Sequence, residues 1–176
     1  RIIRQYHWMQ PGDHIAVAMR GTAADNALLL FFRNITGRRR DVTVSVMPVA
    51  GEMPDFMTAA REQGITRIAL STTLETTSAS ILADILRGDT ERCTSTGPAL
   101  STIPLIITPF CHIPAEEIAT YATIHALRGT VPVPGDGDSL FGEVQLLLAA
   151  YSQRHPAAPH AILNLCDTLR HTGGRY

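Results

Sequence analysis

The chain contains no lysine; all fifteen of its basic residues are arginine. That excludes, within this chain, any mechanism resting on a lysine ammonium set against a phosphate or on a lysine Schiff base. Cysteine is scarce too, with three residues at 93, 111 and 166. An odd number at wide spacing is not a disulfide framework and fits a reducing compartment, so the expected location is cytoplasmic. No apolar run approaches the ~18 residues that a bilayer span needs, and no targeting segment is visible, so a soluble protein with no membrane partner is expected. Charge of one sign is also missing. Sixteen acidic residues balance fifteen basic ones for a net charge of −1, which gives no global signature of a nucleic-acid binder.

What is present is apolar residue in quantity, 45% of 176, enough for one domain with a substantial core. The chain is organised around residues 14 to 36, HIAVAMRGTAADNALLLFFRNIT. A short apolar run ends at Met19, breaks at Arg20-Gly21, and gives way near Asp25 to an apolar helix. This strand, tight loop and helix form the junction at which α/β folds bind phosphates. The unpaired amides of the first helical turn and the positive end of the helix dipole both face the loop there.

The remaining pattern repeats that unit. A second strand is predicted over 42–47, where β-branched residues alternate, and a third over 65–70. Between them a helix spans about 53–63. A further helix opens in STTLETTSAS and closes at Arg87-Gly88, and residues 89–100 read as loop. A fourth strand at 103–107 runs into Pro109, followed by a helix from Pro114 to about Leu127, with Glu116 and Glu117 near its positive end. TVPVPGDGD (130–138) is a linker, because two prolines and two glycines in nine residues cannot form a regular element. After it only helices are predicted, over 140–153 and 158–170. A short amphipathic helix is predicted at 2–9. Strands separated by single helices imply parallel crossovers. The expected fold is therefore a doubly wound α/β domain over 1–129, with a mainly parallel sheet of four to five strands, helices on both faces, and a C-terminal helical pair over 139–176 packed on the same domain.

The order and wording of these segments resemble a known family. GDHIAVAMRGTAADNALLLFF resembles the start of the PP-loop ATP pyrophosphatases of the tRNA-thiolation and tRNA-lysidine type, where a strand ends in Ser-Gly-Gly-x-Asp-Ser. AREQGITRIALSTTLETTSASILADILRGD is similar to its second signature, PLIITPFCHIPAEEIATYA to its third, and FGEVQLLLAAYSQRHPAAPHAILNLCDTLR to its C-terminal helical pair. The resemblance implies a Rossmann-like PP-loop fold and, in intact members, adenylation of a tRNA base by ATP with Mg²⁺. It also points to binding residues, namely Arg20, Gly21, Thr22, Asp25 and Asn26 in the loop and Ser71 and Thr72 at the end of the third strand.

The departures are systematic. The first motif is one residue longer than the pattern and keeps one glycine and the aspartate. The Gly-His position of the second motif falls on Ser71-Thr72, its aspartate pair on Glu75-Thr76 and the following Glu-Thr on Ala79-Ser80, while Thr108 stands where the third motif has arginine. The Cys-x-x-Cys region of the thiolating branch is largely missing between Met47 and Ala59, and a later cysteine of that branch falls in 130–138, which has none. The resemblance thus implies no iron–sulfur cluster and no assigned catalytic residue or metal ligand, with ATP and Mg²⁺ as the cofactor expected if one binds, Asp25 being the residue that could still hold the metal. The function expected is that of a degenerate PP-loop domain, a non-catalytic partner subunit or a nucleotide or anion binder. Its partners would be a catalytic PP-loop homologue or a second copy of itself, and tRNA. A divergent, active tRNA sulfurtransferase or lysidine-type ligase and a pure interaction module are the alternatives.

The residues also carry plainer readings. Thr22 with Asp25, and Thr72 with Glu75, match the capping box at a helix start, which needs no ligand. Arg20 either binds phosphate as a fork or pairs with Asp25 and closes the site. Arg33 and Arg38–Arg40 are expected in a solvated turn rather than on an RNA backbone. Cys111-His112 follows the fourth strand, but neighbours in sequence rarely face one point. His155 and His160 bracket two prolines and are expected to pack at a hinge rather than ligate zinc.

Overall fold

The computed structural model describes residues 8–49, 53–89, 104–130 and 139–173. The helix predicted at 2–9, most of the 89–100 loop with Cys93, and linker residues 131–138 lie outside them. The elements are β1 (His14–Met19), α1 (Ala23–Thr36), β2 (Thr43–Pro48), α2 (Met53–Glu62), β3 (Arg67–Ala69), α3 (Leu74–Arg87), β4 (Leu105–Ile107), α4 (Ala115–Ile124), α5 (Ser139–Ser152) and α6 (Ala158–Gly173). They form two compact units. One comprises residues 1–71, 100–109 and 116–132, and the other 72–99, 110–115 and 133–176.

In the first unit, among the described residues, four parallel strands lie in the order β2-β1-β3-β4. The β1-α1-β2 crossover steps one way along the sheet, and β2-α2-β3 steps back past β1. Right-handed crossovers therefore put α1 and α2 on opposite faces. Strand alternation supplies a core for each face. Ala16 and Ala18 turn toward α2, where they pack with Met47, Phe56, Ala60 and Ile68, while Ile15 and Val17, both fully buried, point the other way. The small side chains on one face of β1 let α2 approach closely, and the α1 side is filled by larger ones, with Leu28 and Phe32 buried. Fully burying side chains of this size stabilises by about 1.5–3 kcal/mol each.

The amino ends of β1 and β3 are pinned by a buried ion pair that hydrophobic patterning does not reveal. Arg67 Nε donates to Asp13 Oδ2 at 2.5 Å, both side chains being about nine-tenths buried. The Gln10 amide at 2.6 Å and the Thr66 hydroxyl at 3.0 Å complete the shell around the Asp13 carboxylate. These bonds answer the desolvation cost that an unpaired buried charge would incur.

The second unit is helical. α3 packs against both α5 and α6. Leu74 and Ile81 meet Leu163 and Cys166 along one seam, and Ala79 and Ala83 meet Val144 and Leu148 along the other. Gly88 closes α3 at φ +76°, a conformation costly for any residue with a Cβ, and its amide returns to the Ile85 carbonyl at 3.0 Å. At the other end of α3 the expected capping box is displaced by one residue. Thr73, not Thr72, is the N-cap, and Glu75 instead accepts from the Ala115 amide at 3.0 Å.

Candidate functional site

In an open α/β sheet, ligands bind outside the carboxyl ends of the strands where the strand order reverses. Here that point lies between β1 and β3, and the loop leaving β1 meets Ser71, two residues beyond β3, at that place. Gly21 has φ +86°, so the tight turn after β1 needs a residue without a Cβ. Thr22 then caps α1. Its hydroxyl accepts from the Asp25 amide at 3.1 Å, and the Asp25 carboxylate accepts in return from the Thr22 amide at 3.0 Å. This is the capping box, with aspartate in place of the usual glutamate.

Asp25 does more than cap. Its side chain has no solvent exposure. Oδ2 accepts from the backbone amides of both Arg20, at 2.8 Å, and Thr22. Oδ1 accepts from the Ser71 hydroxyl at 2.6 Å and lies 3.6 Å from the Arg20 guanidinium. Burial alone would push this carboxyl up; the hydrogen bonds from Ser71 and from the Thr22 and Arg20 amides outweigh it and hold Asp25 below its ordinary value of 3.8. Arg20 Nη2 also donates to Ser71 Oγ at 3.1 Å, so guanidinium, hydroxyl and carboxylate form one relay. Of the two readings of Arg20, its side chain follows the one that pairs with Asp25, although half of that side chain stays exposed.

The predicted residues Arg20, Gly21, Thr22, Asp25 and Ser71 are thus brought together. Asn26 turns elsewhere, its amide donating to the Arg128 carbonyl at 2.8 Å. Thr72 belongs to the second unit and is half-buried. Sequence reasoning missed the segment Arg128–Thr130, which it assigned to a linker and the residues before it. Thr130 donates its amide to the Gly21 carbonyl at 2.8 Å and forms a parallel bridge with Thr22. The signal that was available is the β-branched pair Thr130-Val131 directly after Gly129, a strand signature in miniature.

The arrangement holds charge internally rather than presenting it. With both oxygens engaged and no exposure, Asp25 is not placed to bind a magnesium ion, and two of the loop amides that a phosphate would use are already donated to it. No group of three His, Cys, Asp or Glu that could hold a metal occurs among the described residues. Cys166 lies in the α3–α6 core and Cys111 is buried in the second unit. His155 stacks on Tyr151 with centroids 4.5 Å apart. Arg39 is spent on Asp41, leaving Arg33, Arg38 and Arg40 as exposed residues at the far end of α1. That end is about 20 Å from the loop by helical rise.

No family model matches the chain, nor does any curated protein. Among solved structures it is similar to the U34-tRNA thiolase NcsA from Methanococcus maripaludis with its [4Fe-4S] cluster, at a TM-score of 0.78 and 12% identity, covering 96% of this chain and 77% of that one. This corrects one expectation. The expectation of no iron–sulfur cluster, drawn from the missing Cys-x-x-Cys region, is overturned by a solved structure of similar architecture that carries a [4Fe-4S] cluster. No helix among the described residues is long and apolar enough to cross a membrane. With its parallel β2-β1-β3-β4 sheet, its loop at the switch point and this structural likeness, the chain has the α/β Rossmann-like fold of the PP-loop tRNA thiolases.

Proposed function

We propose that this chain is a degenerate relative of the PP-loop tRNA-modifying enzymes, one that has lost the adenylation step and acts in the cytoplasm as a non-catalytic partner of a catalytic PP-loop homologue on tRNA. The observation that supports this reading is the inward-turned Asp25. A carboxylate already bound to the Arg20 and Thr22 amides takes up, from within the chain, two of the donors with which the loop would hold a phosphate. Phosphoryl-group chemistry relies on positioning and on neutralising developing charge. A loop whose amides are spent on its own anion has little left to supply either.

The half-exposed Arg20 guanidinium favours a second reading, an anion binder without chemistry, because its fork extends beyond the single nitrogen resting on Ser71. The test of the first reading is pyrophosphate release from ATP in the presence of tRNA. The expected result is no release above the protein-free rate. Turnover by the wild-type chain would overturn the proposal.

A further inference from the structure

Two loop amides are held by Asp25; what remains at this place is the start of α1, and a second part of the chain lies across it. The approach is close enough to be decided by one missing methyl group. A Cβ built on Gly129 would lie 2.1 Å from the Ala23 amide nitrogen and 2.3 Å from the Thr22 carbonyl carbon, both backbone atoms that cannot move aside. Three hydrogen bonds hold the segment down. The Thr130 amide donates to Gly21 O at 2.8 Å, the Thr130 hydroxyl donates to the same oxygen at 3.2 Å, and Asn26 Nδ2 donates to Arg128 O at 2.8 Å. Yet Arg128, Gly129 and Thr130 are all solvent-exposed. The segment is fixed by a few exposed polar bonds rather than by buried apolar area, the character of elements that open locally at low cost.

We propose that Arg128–Thr130 is an autoinhibitory strap, latched to the loop through Asn26 and Gly21, that must swing off the first turn of α1 before any phosphate-bearing ligand can reach it. The inference rests on reading residues 20–26 as the remnant of a phosphate loop. Gly129 is the contact point, because only glycine lets the strap lie flat against the Ala23 amide. Asn26 is the latch, since it reaches from the end of the helix's first turn to a carbonyl 102 residues away.

The test uses the full chain and two independent ways of lifting the strap. Gly129→Val places side-chain atoms where the helix backbone already is. Asn26→Ala combined with Thr130→Pro removes all three latching donors without adding bulk at the contact. Hydrogen exchange at the Thr130 amide, or in the proline variant at the Ala23 amide that Gly129 lies against, reports opening, and calorimetry with inorganic pyrophosphate reports access. In both variants protection at these amides is expected to fall by about a hundredfold, and pyrophosphate to bind at least about tenfold tighter than to wild type. Lost protection without tighter binding would overturn the proposal, as would unchanged protection in both variants, or wild-type binding as tight as theirs. Circular dichroism of each variant confirms that the sheet is intact. Pyrophosphate release by the wild-type chain would instead overturn the non-catalytic reading and leave the strap to be judged by its own variants.

Discussion

Ser71 donates its hydroxyl to Asp25 Oδ1 at 2.6 Å, tying the end of β3 to the first turn of α1 across 46 residues of sequence. The same hydroxyl accepts from the Arg20 guanidinium at 3.1 Å, so one serine connects a half-exposed cation to a fully buried anion. Removing either end of such a contact leaves a buried group short of its partner.

Ser71→Ala is therefore expected to lower stability by about 1.5–3 kcal/mol, the range for hydrogen bonds to charged groups. Asp25→Ala, which strands two loop amides and the serine, should cost about 3–5 kcal/mol. Denaturant titration of the two single variants and the double variant checks this. A coupling energy near zero would show that the two residues do not act together.

Acid sensitivity follows from the same carboxylate. Its folded-state value lies below the ordinary 3.8, so its contribution is complete above about pH 4 and is lost as pH falls through the folded value. Wild-type stability should drop in that range, and Asp25→Asn, already destabilised at neutral pH, should show a shallower decline. Parallel acid limbs for the two proteins would contradict the assignment.

At the opposite end of the sheet, Arg67→Ala should cost about 3–5 kcal/mol, because Asp13 then stays buried beside only an amide and a hydroxyl. Replacing both partners, as in Asp13→Leu with Arg67→Met, is expected to cost less than the arginine deletion alone. Thermal melts of the single and double variants decide it.

In the helical unit, burial pushes the His112 ring below its ordinary 6.5, opposed by Asp167 and assisted by His160. The neutral ring is the folded form, so stability is full above pH 6.5 and declines as pH falls toward the folded value. A proton NMR titration should place the His112 midpoint below 6.5. A midpoint above it would mean that Asp167 dominates.

The sequence by itself determined the alternation of strands and helices, the parallel crossovers and the loop at the switch point. Those follow from local periodicity, from Gly21 and Gly88 at positive φ, and from the Thr22–Asp25 capping box, all interactions over a few residues. The similarity of four ordered segments to the PP-loop pattern pointed to the fold that the structure shows. Only the tertiary structure decided which way the site residues face. Whether Asp25 looks outward to a ligand or inward to the Arg20 and Thr22 amides depends on Ser71, brought beside it by sheet order. That Gly129 lies on the start of α1 depends on a contact spanning more than a hundred residues. The Asp13–Arg67 pair was hidden for the same reason, since its partners are 54 residues apart and neither sits in a recognisable motif. Local sequence fixes backbone dihedrals and burial periodicity; the pairing of polar groups distant along the chain is set by which elements the fold makes neighbours.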